Sequence, residues 1–173
     1  MWVADMDFRT VPAIVDVLRR RVEHGIFSYT RVPDSYYEAV TGWCARRHGW
    51  AIDREWIIYT SVVAPAIPAV IKALTVPGDK VLVQPPVYNC FFSSICNNEC
   101  EMVSSPLVFA SNTFTIDYED LERKTGNPKV KVMLLCNPHN PAGRVWKREE
   151  LVRIGENRTQ LYTLPYQALR ITK

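Results

Sequence analysis

The 173-residue sequence predicts an α/β domain with a mainly parallel sheet flanked by helices, on three observations. Segments rich in β-branched residues alternate with segments of helical period, the order in which each crossover returns the chain to a parallel strand. The run Val130-Lys131-Val132-Met133-Leu134-Leu135-Cys136 is apolar enough for a strand covered on both faces. A strand–turn–helix order also recurs, once before Leu74 and again from Lys80 to Asn97.

In chain order, the first helix is expected from Val11 to about His24. Thr10 is the expected N-cap, Pro12 suits the first turn, Ile14, Val15, Leu18 and Val22 share a face, and Gly25 stops it. A second helix is expected from Ser35, where Ser35 and Glu38 have capping-box spacing, through Tyr36, Ala39, Val40 and Trp43 to Gly49. Between them, Phe27-Ser28-Tyr29-Thr30 predicts an exposed aromatic loop. Trp56-Ile57-Ile58-Tyr59-Thr60 predicts a short strand, followed by a small-residue turn and a helix to Leu74. Lys80 to Gln84 predicts the next strand, with a Pro85-Pro86 turn and a helix from near Tyr88 to Asn97. Asp117 is expected to cap a short helix through Leu121, and a last helix follows Trp146 or Lys147.

Composition narrows the function class. Hydrophobic residues make up 47% and charged residues 23% of the chain, and the net charge of +3 is spread along it, which asks for neither nucleic acid nor a membrane surface. The longest apolar stretch, Ile57 to Leu74, is broken by Pro65, Pro68 and Lys72, so no membrane span is expected. The opening Met1-Trp2-Val3-Ala4-Asp5 lacks the basic and apolar regions of a secretory signal, and a cytoplasmic protein is the expectation. Five cysteines without a Cys-x-x-Cys pair predict free thiols in a reducing compartment and no zinc site.

In open α/β sheets, ligands lie beyond the carboxyl ends of the strands, where helix N-termini and free amides hold phosphates. Three loops meet that description: Thr60 to Ala64, Pro85 to Tyr88, and Asn137 to Gly143. In the last, two Asn-Pro steps and a glycine shape a sharp loop. On composition alone it serves equally well as a rigid chain reversal.

The segment Leu134-Leu135-Cys136-Asn137-Pro138-His139-Asn140-Pro141-Ala142-Gly143-Arg144-Val145-Trp146 closely resembles the Asn-Pro-x-Gly loop of fold-type-I pyridoxal-phosphate enzymes. The version is that of the MalY/PatB-type cystathionine β-lyases. Met1 to Phe8, Gly25 to Thr30, and Pro86-Val87-Tyr88 with Phe91-Phe92 resemble the same family and stand in its order, from Met1 to about Glu156. The resemblance implies a partial aminotransferase-like large domain. Residues 1–50 would form an N-terminal arm with helices and 51–156 part of the cofactor-binding α/β domain. Residues 157–173 would be a divergent tail.

The resemblance also implies roles. Asn140 would donate a hydrogen bond to the phenolic oxygen of pyridoxal 5'-phosphate, and Tyr88 would stack on the pyridine face. The amides of Val63 and Ala64 would hold the phosphate, and Tyr29 would reach the phosphate of a neighbouring subunit in a homodimer. Val3 and Ala4 would lie near the substrate carboxylate. Val62 stands where the family usually carries glycine, which predicts crowding of the phosphate. His24, His48 and His139 receive no catalytic role.

The implied reaction is α,β-elimination from an amino-acid substrate, cystathionine or a cysteine S-conjugate, to a thiol, pyruvate and ammonia. The family uses a lysine that bonds to the cofactor and acts as base, an aspartate for the pyridinium and an arginine for the substrate carboxylate. All three would fall beyond Lys173, and Lys72, Lys80 and Lys147 are outside the expected context. The 173 residues are therefore expected to be inactive alone, with a shifted or truncated tail after Glu156. A non-catalytic interaction module or a truncated gene product that keeps the dimer surface is the alternative.

Overall fold

The computed structural model describes residues 6–156 together with the backbone of strand Tyr162–Pro165. Val3 and Ala4, and the remainder of the tail, lie outside the described residues. The chain divides into two compact units, Met1–Val40 and Thr41–Lys173.

The first unit carries helix α1, Pro12–His24. Its N-cap is Val11, not Thr10, with no side-chain cap; Pro12 takes the first helical position, where the missing N–H costs nothing. Gly25 closes α1 in the left-handed region at φ 73°. No α1 residue is buried. In the loop that follows, the Thr30 hydroxyl donates to the Ser28 carbonyl at 3.2 Å, and Tyr29 is fully exposed. Helix α2, Asp34–His48, begins one residue ahead of Ser35 and ends in paired backbone bonds. The Gly49 N–H donates to Ala45 O at 2.9 Å and the Trp50 N–H to Cys44 O at 3.1 Å.

The second unit is built on a parallel sheet. Strands β1 (Lys80–Val83), β2 (Glu101–Ser104), β5 (Val130–Leu135) and β6 (Tyr162–Pro165) lie in the order β2-β1-β5-β6, and all three pairings are parallel. Apolar side chains leave β1 and β5 on both faces. Val81, Val83, Val132 and Leu134 meet Ile67 and Ile71 of helix α3 (Val63–Leu74) and Phe91 and Ile95 of helix α4 (Cys90–Cys96). On the other face, Leu82, Met133 and Leu135 meet Leu121 of helix α5 (Tyr118–Thr125), Trp146, and Ile154 of helix α6 (Arg148–Glu156). Covered on both faces, β5 has to read as an almost continuous apolar run.

An antiparallel hairpin, β3 (Val108–Ala110) and β4 (Thr113–Thr115), connects β2 to α5. The Asp117 carboxylate caps α5 as expected, accepting the Asp120 N–H at 3.0 Å, and the helix continues to Thr125.

The strand expected at Trp56 to Thr60 is absent. Asp53 accepts the Glu55 N–H at 3.1 Å and sets a single 3-10 turn at Arg54–Trp56. Residues 57–60 pair with no strand among the described residues, and Trp56 and Ile58 remain exposed. High β-propensity without a neighbouring edge does not make a strand.

Candidate functional site

Strands β1 and β5 are parallel neighbours, with Val83 opposite Leu134. Both therefore discharge their following loops at one edge of the sheet, the carboxyl edge where α/β domains bind ligands. From β1 the chain runs through Gln84, Pro85 and Pro86 to Val87 and Tyr88. The Tyr88 ring packs partly buried on the α3/α4 side of the core, edge-on to Phe91 with centroids 6.1 Å apart. Phe91 thus braces the ring.

From β5 the chain enters Cys136 to Trp146. The Asn137 side chain accepts the Trp146 N–H at 3.1 Å, and the Trp146 indole N–H donates to Cys136 O at 3.1 Å, closing the base of the loop. His139 and Arg144 form a bridge, with the His139 N–H donating to Arg144 O at 2.6 Å. The turn between them closes through the Gly143 N–H to His139 O at 2.8 Å. Gly143 has φ 65°, in the left-handed region where glycine is unstrained. Arg144 anchors the outside: its Nε donates to Phe114 O at 2.7 Å, its guanidinium pairs with Glu150, and it lies 4.8 Å over the Trp146 ring. Asn140 is exposed at the loop's apex.

These two loops are joined. Val87 bridges Pro141, and His139 Nε2 is 2.9 Å from Pro86 O. The Cys136 sulfur accepts the Asn140 N–H at 3.3 Å and also faces the Tyr88 N–H. The structure thus brings Tyr88 and Asn140 to one place.

Burial pushes the Cys136 thiol up, against the lowering by the Asn140 and Tyr88 amides, so sulfur stays protonated at neutral pH. Burial likewise pulls His139 below its ordinary 6.5, against the carbonyls of Pro86, Gln84 and Cys136 around it. The ring is neutral, and because a carbonyl only accepts, Nε2 carries the hydrogen toward Pro86. His139 Nδ1 and both amide atoms of buried Gln84 have no partner among the described residues.

Helix α3 supplies the third element. Residues 75–79 tie its last turn to the start of β1, and the Thr75 hydroxyl lies 3.2 Å from Cys100 Sγ, just ahead of β2. Its carboxyl end therefore lies at the amino ends of the strands. Twelve residues rise about 18 Å, which returns Val63 and Ala64 to the carboxyl edge. Both are exposed, and no side chain caps this N-terminus. Val62 has φ −151° and ψ 167°, ordinary extended backbone, and its side chain is 60% exposed. The conformation that would require glycine is not used here.

Tyr29 belongs to the Met1–Val40 unit. Sequence reasoning did not assign Cys136, His139 and Trp146 to the site. The available signal was their position directly beside the Asn-Pro steps.

The donor set fits a phosphorylated, flat heterocycle that carries a polar oxygen. Two orphan helix amides suit a phosphate, an exposed carboxamide suits a phenolic oxygen, and a braced aromatic ring suits a flat heterocycle. These are the groups that pyridoxal 5'-phosphate presents.

Comparison with known proteins agrees. The family "aminotransferase class I and II" matches residues 3–165, reaching into the segment expected to diverge and through β6. Cystathionine β-lyase PatB of Bacillus subtilis is 46% identical over 156 residues, covering 90% of this chain and 40% of that protein. Among solved structures, cystalysin of Treponema denticola, which contains pyridoxal 5'-phosphate, superimposes with TM-score 0.88 at 35% identity, over 94% of this chain and 42% of that one. The pyridoxal-phosphate-bound C–S lyase of Staphylococcus hominis gives TM-score 0.89 at 32% identity, over 95% and 43%. The chain spans about 40% of the length of the curated relatives it matches. It belongs to the class I and II aminotransferase family, with the fold-type-I α/β architecture of pyridoxal-phosphate enzymes.

Proposed function

We propose that these residues form the cofactor-gripping part of a pyridoxal-phosphate-dependent carbon–sulfur β-lyase acting on cystathionine or a cysteine S-conjugate. The observation that carries the reading is the union of the Tyr88 and Asn140 loops at the sheet edge to which the uncapped N-terminus of α3 also returns. When bound, the cofactor supplies an electron sink for breaking the bond β to the substrate amine. The chain's own residues bind and orient. The Val63 and Ala64 amides, with the positive end of the α3 dipole, take the phosphate. Tyr88, braced by Phe91, fixes the plane of the ring. Asn140 would donate to the phenolic oxygen and stabilise negative charge there.

Val3 and Ala4 are proposed near the substrate carboxylate. Tyr29 is proposed to reach the phosphate of a second subunit in a homodimer, a reading supported by its full exposure. The 173-residue chain alone is proposed to release no pyruvate. Lys72 lies in the last turn of α3, Lys80 opens β1 and pairs with Glu101, and Lys124 is held by Asp120. Lys72 and Lys80 lie away from the carboxyl edge, and Lys124, at the carboxyl end of β2, is occupied by Asp120 and the Ser104 carbonyl.

Pyridoxamine 5'-phosphate tests the grip without the complication of aldehydes reacting with surface lysines. We expect saturable binding to the 173-residue chain, weakened roughly tenfold or more by Asn140→Ala, the loss of a hydrogen bond to a charged acceptor. Equal affinity of parent, Asn140→Ala and Tyr88→Ala would refute the site. Pyruvate release from cystathionine by the isolated chain with pyridoxal phosphate would refute its inactivity.

A further inference from the structure

Two buried side chains beneath the site touch both loops that carry its gripping groups. Cys136, fully buried, accepts the Asn140 N–H at 3.3 Å and faces the Tyr88 N–H, while its own S–H lies 3.4 Å from Pro138 O. His139, also buried, donates from Nε2 to Pro86 O at 2.9 Å. Its backbone is fixed on the other side by Arg144 O and the Gly143 N–H, and its ring meets Trp146 edge-on at 5.4 Å.

We infer that Cys136 and His139 are positioning residues that clasp the Tyr88 loop to the Asn140 loop, so that the stacking ring and the hydrogen-bonding amide are held at one spacing. The inference rests on the cofactor reading above. A thiol that merely filled core volume would not need both amides. Here one sulfur serves the backbone N–H of the residue that would stack on the ring and of the residue that would bond its oxygen. The histidine repeats the arrangement three residues further along the same loop, joining the residue before Asn140 to the loop that ends at Tyr88. Cys136 shares a core cluster with Ile67 and Ile71 of α3, but among the described residues the hydrogen bonds of the two side chains run to the Tyr88 and Asn140 loops. The clasp should therefore govern the grip on the ring and leave the phosphate grip alone.

The test uses the whole 173-residue chain with Cys136→Ala and His139→Leu, which remove the bonds. Cys136→Ser and His139→Gln keep an acceptor at the first position and a donor at the second. Without ligand, amide hydrogen exchange at Tyr88 and Asn140 should rise together in Cys136→Ala, by roughly fivefold for one hydrogen bond lost, and return toward parent in Cys136→Ser. The dissociation constant for pyridoxamine 5'-phosphate should weaken by a similar factor in Cys136→Ala and His139→Leu, with recovery in the conservative pair. The constant for inorganic phosphate should stay at the parent value in all four.

Unchanged exchange at both amides, or a rise at only one of them, overturns the clasp. So does parallel weakening of pyridoxamine 5'-phosphate and phosphate, which signals general loosening. Failure of the underlying reading is separate: parent chain that does not bind pyridoxamine 5'-phosphate, or binds it equally in Tyr88→Ala and Asn140→Ala, overturns the cofactor site and the clasp's purpose with it.

Discussion

Replacing Trp146 with phenylalanine probes the base on which the Asn140 loop stands. Trp146 is 3% exposed, and its indole N–H is bonded to Cys136 O at 3.1 Å. Phenylalanine keeps an aromatic ring but removes that donor, stranding a carbonyl on a fully buried residue, which costs about 1–3 kcal/mol. The smaller ring leaves part of the space beside His139 and Leu135 unfilled, for about 1 kcal/mol more. Arg144, 4.8 Å over the ring, keeps an aromatic face beneath it and loses only part of an interaction worth about 0.5–2 kcal/mol. The expected total is about 2–4 kcal/mol. Urea unfolding followed by far-ultraviolet circular dichroism measures it, with the slope unchanged. A loss below about 1 kcal/mol would refute the claim that the indole closes the loop.

Three further predictions concern the site and its support. Val62→Gly should leave the backbone course unchanged, because Val62 is extended at φ −151°, and should tighten phosphate and pyridoxamine 5'-phosphate binding by removing an exposed β-branched side chain beside the α3 N-terminus; unchanged affinity in a titration would contradict the crowding expectation. Burial lowers His139 from 6.5, so between that value and its lower folded pKa the unfolded chain binds more protons. Stability is full above about 6.5 and falls as pH drops below it, by at most about 1.4 kcal/mol per pH unit. His139→Gln should flatten that part of the pH profile in thermal unfolding, and an unaltered slope would contradict the assignment. Asp120 has its carboxyl held below 3.8: burial would raise it, but bonds from Lys124 and Ser105 prevail. Asp120→Asn should cost about 1–2 kcal/mol, read by urea unfolding at pH 7, and should cost little at a pH well below 3.8.

Legibility followed how local the determining physics was. The β5 run was visible because burial on both faces leaves a nearly unbroken apolar string, and α5 was visible through its Asp117 cap. Strand β2 was hidden: Glu101-Met102-Val103-Ser104 lies next to β1 on one side only, with Glu101 and Met102 exposed, so its pattern carries little signal. Hairpin β3–β4 is short and turns through Ser111 and Asn112, both at positive φ. Strand β6 was missed because four residues without an apolar run find their register from β5, not from themselves. The opposite error occurred at Ile57-Ile58, where propensity was strong and no edge was available. At the site, the loops were legible from their prolines and asparagines. Their joining was not, because the contacts among Cys136, His139, Pro86 and Tyr88 span about fifty residues of sequence.

The most direct measurement is a two-dimensional ¹H–¹⁵N spectrum of the chain titrated with pyridoxamine 5'-phosphate. The account predicts saturable shifts concentrated at the backbone amides of Val63, Ala64, Tyr88 and Asn140, with a single dissociation constant. Shifts at other positions that leave these four amides in place would contradict it.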